Sequence, residues 1–134
     1  MDHQVTTPFA VRSYEIDSYG HLNNGVYIAW LEEGRHDYLV SLGFSYDGFA
    51  ERHQWIVVAR TEVDFKAPLH MGESVELVSR IDHLGRTSCR FVQVMHRAGK
   101  PEDVVCRGTT IMVFSGDEGP VPIPDDVRAA VEGT

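Results

Sequence analysis

The chain has 134 residues, of which 43% are apolar and 24% charged, enough to close one core and close to an ordinary soluble protein. A formal charge of −8 argues against a general nucleic-acid binder, and no apolar run approaches the ~20 residues that a membrane span needs. The charge is uneven: residues 60–107 hold eight Lys or Arg against seven Asp or Glu, and the rest hold four against thirteen. That contrast fits either a solvated sheet face or a local cationic rim for a phosphate-bearing ligand.

One domain over residues 1–134 is expected, with no repeat, linker or low-complexity tract before residue 115. The N-terminus lacks a basic stretch followed by an apolar one, so no secretory signal is read there. Cys89 and Cys106 lie far apart, outside any C-x-x-C, which suits reduced core thiols in a cytoplasmic protein.

Residues 8–16 (PFAVRSYEI) predict an opening strand, begun by Pro8 and ended at the turn of residues 17–20. A long helix is predicted over 25–42, with Asn23 or Asn24 as N-cap and Gly43 as its stop. Tyr27, Trp30, Leu31, Gly34, Tyr38, Leu39 and Leu42 recur at three- and four-residue spacing on one apolar face, which Val26, Ile28 and Ala29 widen near the start. Gly34 in mid-helix implies that a neighbouring backbone passes close.

Four strands follow, at 55–66, 73–82, 86–97 and 103–114, with Gly108 expected to mark a bulge or kink. The first alternates as a half-buried strand does, and the third is apolar on both faces. Links at 68–72, 83–85 and 98–102 are too short for parallel crossovers, so an antiparallel meander is expected. The fold class is therefore α+β, an antiparallel sheet wrapped around one long helix. The tail, 115–134, is extended, with a short helix at 125–132 that is structural or frayed.

The chemistry concentrates in DSYGHLNNGVY, residues 17–27. Asp17 at a strand end fits a turn-forming carboxylate equally well as a nucleophile or base. Asn23 and Asn24 already supply capping, and His21 stands four residues from Asp17, able to orient it. The Asn24 backbone N–H, in the first helical turn, has no intrahelical acceptor and can meet a developing oxyanion. G-x-S-x-G, a P-loop, G-x-G-x-x-G and H-E-x-x-H are all missing, so no metal and no cofactor is expected.

DSYGHLNNGVYIAWLEEGR, with FKAPLHMGESV between two strands, resembles the hotdog-fold acyl-CoA thioesterases of the 4-hydroxybenzoyl-CoA thioesterase type. The H-x-N-N segment is also similar to plant-type acyl-ACP thioesterases. The resemblance spans residues 5–130. It implies a hotdog fold, Asp17 as the carboxylate that attacks the thioester or activates water, and the Asn24 N–H as oxyanion donor, with His21 and Asn23 beside them. It also implies homodimers, formed by joining two sheets side by side, or dimers of such dimers, with the acyl group of an acyl-CoA at the dimer interface. Arg86 is the leading candidate for the CoA phosphates, then Arg60 and Lys66, and Tyr27 is a candidate substrate contact. The other readings are a non-catalytic acyl-CoA sensor, an acyl-ACP thioesterase and, third, a hydratase of similar fold.

Overall fold

Eighteen residues, Asn24–Ser41, form the helix α1 on which the rest of the chain packs; the computed structural model describes residues 1–134. Asn23 caps its start through the Gly25 N–H. At its end Gly43 takes φ +91°, the Gly43 N–H bonds the Val40 carbonyl at 2.9 Å, and the Phe44 N–H bonds that of Leu39 at 3.0 Å. This closure satisfies terminal carbonyls by a left-handed residue, which is why glycine stops the helix. The buried stripe is Tyr27, Trp30, Leu31, Gly34, Arg35, Tyr38 and Leu39. Ile28 and Ala29 are exposed, contrary to expectation, because successive positions turn about 100° and carry them off the stripe.

Six strands build one antiparallel sheet: β1 (Val5–Ala10), β2 (Trp55–Phe65), β3 (Ser74–Leu84), β4 (Ser88–Arg97), β5 (Val104–Gly116) and the two-residue β6 (Gly119–Pro120). Their order is β1-β3-β4-β5-β2, with β6 beside β5. The sheet wraps α1, the α+β hotdog arrangement that the resemblance implies.

The simple meander is corrected in one respect. β2 pairs with β5 and not with β3, so β1 and β2 form opposite edges. Residues 66–73 run from the end of β2 past the start of β5 to β3. A link that short still suffices, because it must span only about three strand spacings.

The opening strand is also shifted. β1 begins at Val5, Pro8 lies within it opposite Glu76, and residues 13–15 form a 3-10 turn. Proline is tolerated there because an edge strand can turn its missing N–H away from the ladder. Gly108 sits in unbroken register with Val63 and Gln93; the β2 irregularity falls between Val58 and Arg60 instead. At Gly108 the helix packs close: a Cβ would stand 3.0 Å from Leu31 of α1, so a larger residue would require that side chain to shift. At Gly34 the close neighbours are the side chains of Leu77, Ser79 and Gln93, not a backbone.

Two short helices complete the fold. α2 (Tyr46–Glu51), capped by Ser45, was not signalled by periodicity because it has barely more than one turn. α3 (Asp125–Glu132) is structural: Val127 and Val131 are buried, worth roughly 1.5–3 kcal/mol each. Cys89 and Cys106 are free and buried, and burial pushes their thiols up to about 12 and about 11.

Candidate functional site

The turn before α1 is built by its own carboxylate. Asp17 Oδ1 accepts the Tyr19 N–H at 2.9 Å and the His21 N–H at 3.1 Å, while the Asp17 N–H bonds the His21 carbonyl at 2.8 Å. Gly20, at φ +79°, lets the chain reverse. Asp17 is thus the turn-former that its sequence context suggests. Its Oδ2 takes no hydrogen bond from the chain and remains available.

Ile16 and Leu22 bridge across the turn, and the Leu22 N–H bonds the Leu69 carbonyl at 2.8 Å. These contacts fix the turn against the β2–β3 link, so both walls of a cleft form together. The cleft, about 230 Å³, is lined by Asp17, His21, Asn24, Tyr27, Lys66 and Pro68, among others. Four candidates from the helix entrance and one cation from the β2 end therefore meet in one place.

At the helix start Asn23 Oδ1 accepts from Gly25 at 2.8 Å. No acceptor within the chain meets the Asn24 N–H. One unpaired donor thus stands at the positive end of an 18-residue helix, where developing negative charge is stabilised. Asn23 is a capping residue and is not among the groups lining the cleft.

The His21 ring does not bond Asp17; only its backbone does. The ring meets His70 edge-on, with centroids 5.0 Å apart. His70 in turn lies against Glu73, with Nδ1 and Oε1 3.0 Å apart, and Glu73 pairs with Arg97 at 2.8 Å. Arg97 donates to the Pro68 carbonyl at 3.1 Å, tying this network to the cleft wall. The Arg97 guanidinium and the hydrogen bonds from His70 hold the Glu73 carboxyl down at about 2.

Tyr27 is buried at the cleft, its hydroxyl 3.3 Å from the Ala67 carbonyl and its ring edge-on to Phe65. Burial raises its pKa. Arg60 lies elsewhere, ion-paired with Glu62 beside Arg90. Arg86, exposed, lies between β3 and β4, where its carbonyl accepts from Ile123, at the end of the sheet opposite the cleft. Phe65 at the end of β2 and Ala67 and Pro68 in the crossover also line the cleft; they fall within FKAPLHMGESV, but nothing in their identity marks them individually as cleft-lining.

The one grouping with metal-ligand spacing, Glu33, His36 and Asp37, lies on α1 outside the cleft. Asp37 already accepts a hydrogen bond from Thr7 at 2.7 Å. No helix is long and apolar enough to cross a membrane.

Comparison with known proteins gives a consistent picture. A sequence model of the thioesterase-like superfamily matches residues 11–131. The acyl-acyl carrier protein thioesterase ATL3, chloroplastic, of Arabidopsis thaliana is 26% identical over 119 residues, covering 89% of this chain and 63% of that protein. The chain thus spans under two thirds of that relative's length. Long-chain acyl-CoA thioesterase FadM of Escherichia coli is 28% identical over 91 residues, 68% of each chain. In three dimensions, Slr0204, a 1,4-dihydroxy-2-naphthoyl-CoA thioesterase from Synechocystis, superposes with a TM-score of 0.88 at 17% identity, covering 96% of both chains.

Proposed function

Since the chain belongs to the thioesterase-like superfamily, we propose that it hydrolyses acyl-CoA thioesters at the cleft between the Asp17 turn and the start of α1. The observation that carries this reading is that two residues lining one cleft carry, respectively, a carboxylate oxygen free of partners and a helix N–H free of acceptors. Asp17 Oδ2 attacks the thioester carbon or removes a proton from water that does so. The carbonyl oxygen becomes an oxyanion held by the Asn24 N–H. The departing thiolate has a pKa near ~8.5 by analogy with cysteine, so no strong general acid is needed. On the base route collapse of the tetrahedral intermediate gives the free acid directly. On the nucleophile route one water cleaves the Asp17 mixed anhydride and restores the carboxylate. On either route the thiolate takes up the proton lost by that water to leave as CoA.

Backbone bonds to Oδ1 leave the carboxylate little freedom to rotate, which favours a productive approach. His21 serves this geometry through its backbone and its contact with His70. Lys66, exposed at the cleft, suits the anionic arm of CoA better than Arg60, which is neutralised by Glu62.

The active form is a homodimer joined along β2. This edge strand leaves Trp55, Val57, Val58 and Phe65 about half exposed, although it carries an apolar alternation. A two-fold pairing of edge strands is antiparallel, so the Trp55 end of one copy meets the Phe65 end of the other. Arg86, remote from its own cleft, is thereby brought towards that of the partner copy.

Thiol release from acyl-CoA thioesters is the direct test, in wild type and Asp17→Asn. Rapid release that collapses in the variant supports the enzyme. Tight binding without release in wild type supports an acyl-CoA sensor, and turnover confined to acyl carrier protein substrates supports the acyl-ACP alternative.

A further inference from the structure

β4 turns Cys89, Phe91, Gln93 and Met95 into the core, and Gln93 is the one amide in that row, 1% exposed. A carboxamide in such surroundings is tolerated only when its polar atoms are satisfied. Nε2 donates to the Leu31 carbonyl at 2.8 Å and to Ser79 Oγ at 2.9 Å, and Oε1 accepts from Arg35 Nη1 at 3.2 Å. These partners fix which way the amide lies, because a carbonyl only accepts and a guanidinium only donates. Arg35 Nη1 also donates to Thr110 Oγ1 at 3.3 Å, which lies 3.2 Å from Thr61 Oγ1. One hydrogen-bonded chain thus crosses the inner sheet face from β3 to β2. It divides the core into two apolar clusters, one around Trp30 and Leu31, the other around Tyr38 and Leu39.

Leu31 lies in the middle of α1, and its carbonyl has a second lone pair to offer beyond the helix's own bond. Gln93 is the only sheet side chain that bonds the α1 backbone. Gly34 permits the approach, since a Cβ there would stand 3.0 Å from Gln93 Nε2. The other fastenings of α1 act through its side chains: the Tyr27 hydroxyl meets the Ala67 carbonyl at 3.3 Å, and Asp37 accepts from Thr7 at 2.7 Å. Side chains swing, and apolar burial has no direction, so neither fixes the helix axis as a backbone bond does.

We propose that Gln93 is a positioning residue for thioester hydrolysis: by holding the Leu31 carbonyl to the sheet it sets the tilt of α1 and so the aim of the Asn24 N–H. The inference rests on the thioesterase reading. The Asp17 side of the cleft is anchored separately, through the Leu22 N–H on the Leu69 carbonyl. Leu31 stands seven residues from Asn24, about 10 Å along the axis, close enough to govern the helix start. Helical N–H groups point along the axis, so a tilted helix aims its first amide elsewhere. Displacement of a reacting group by about 1 Å can cost ~10²-fold in rate.

The test uses Gln93→Met, which puts an unbranched apolar chain in place of the carboxamide and removes all its bonds. Val131→Ala is the control: it opens a cavity under α3 and destabilises the core without touching the polar chain. With an acyl-CoA, below both melting temperatures, Gln93→Met is expected to lose about tenfold or more in kcat, with KM changed less than about twofold. Val131→Ala should keep its kcat. Wild-type kcat in Gln93→Met, or an equal loss in both variants, overturns the proposal, the latter because turnover then follows core stability. If Gln93→Met does not fold, Gln93→Asn, whose shorter side chain draws the amide back from Leu31, should show the same loss. If neither folds, Gln93 is a condition of folding and the proposal is overturned.

The amide NMR resonance of Asn24 separates this inference from the thioesterase reading. If wild type hydrolyses no acyl-CoA, the enzyme assignment fails. An Asn24 resonance displaced in the Gln93 variant that folds and unmoved in Val131→Ala still supports control of the helix start by Gln93. An Asn24 resonance that keeps its wild-type position in the Gln93 variant overturns the proposal, whatever the activity.

Discussion

Asn23 Oδ1 accepts the N–H of Gly25 at 2.8 Å and so passes over the N–H of the residue between them. The cap satisfies one of the orphan donors at the helix start and leaves the N–H of Asn24, a residue that lines the cleft, without an acceptor in the chain. A capping asparagine and the amide proposed as oxyanion donor therefore occupy neighbouring positions.

That separation makes Asn24→Pro an informative substitution. Asn24 is the first helical position, where proline is well accepted because its missing N–H has no intrahelical partner. Asn23, at φ −61° and ψ 136°, already has the extended backbone required before proline. The variant is expected to melt close to wild type yet lose about 10²–10³ in kcat, the usual cost of deleting an oxyanion donor. Near-wild-type kcat in a folded protein would remove the Asn24 amide from the mechanism.

Asp17→Asn keeps an oxygen able to accept from Tyr19 and His21, so the turn is expected to persist. It removes the negative charge at the free oxygen. Steady-state assays on an acyl-CoA should show kcat reduced by about 10²–10⁴ with KM changed much less. Asp17→Ala adds the loss of the turn and should lower the melting temperature as well. Equal turnover by wild type and Asp17→Asn would show that the carboxylate is only architectural.

Gly34→Ala pits helix propensity against packing. Alanine gains about 1 kcal/mol in a helix interior. Its Cβ would stand 2.6 Å from both Leu77 Cδ2 and Ser79 Oγ and 3.0 Å from Gln93 Nε2. These neighbours cannot withdraw cheaply, since all are buried and Gln93 Nε2 already donates to the Leu31 carbonyl and Ser79 Oγ. Overpacking of this kind costs typically ~1–3 kcal/mol plus the disturbed hydrogen bonds, so packing wins. Urea denaturation should show a net loss of roughly 1–2 kcal/mol; a stabilised variant would mean that the sheet yields easily.

The long helix, its cap and its glycine stop were legible because each rests on local chemistry within a few residues. Strand positions were legible for the same reason, but strand order was not. Pairing of β2 with β5 depends on residues 66–73 crossing the sheet end, and no local pattern records where a link lands. The candidate site divides likewise. Asp17, His21, Asn24 and Tyr27 share one stretch, whereas Phe65 and Pro68 reach the cleft only through that crossover. Arg35 had a readable signal, since it follows Leu31 and precedes Leu39 by four residues each, on the apolar stripe.

Glu73 links stability to pH. Its carboxyl falls from the ordinary 4.5 to about 2 because Arg97 and then His70 bond its charged form. A carboxyl depressed on folding adds stability fully present above 4.5 and lost as pH falls through about 2. Glu73→Gln should be less stable than wild type at pH 7, with a melting temperature flatter between pH 4.5 and 2. Because Arg97 also holds the Pro68 carbonyl, turnover should fall too, by less than about tenfold. Parallel pH profiles for the two proteins would show that another group controls acid unfolding.

The β2 edge yields a prediction about assembly. A long edge strand with half-exposed Trp55, Val57, Val58 and Phe65 is a template for pairing, and natural proteins guard such edges with lysine, proline or a covering element. The half from Trp55 to Val58 carries no charge, which fits an edge that is occupied in solution, whereas Arg60, Glu62 and Asp64 are exposed in the other half. Val58→Lys places a charge in the uncharged half of the proposed seam, on a residue already 50% exposed, so the isolated fold has little reason to suffer. Light scattering after size exclusion should report a dimer for wild type and a monomer for the variant. Thioester turnover should fall with it, because one copy's Asp17 cleft then lacks the other copy's acyl wall. A Val58→Lys protein that stays dimeric and fully active would place the seam elsewhere, on the β1 edge or a sheet face.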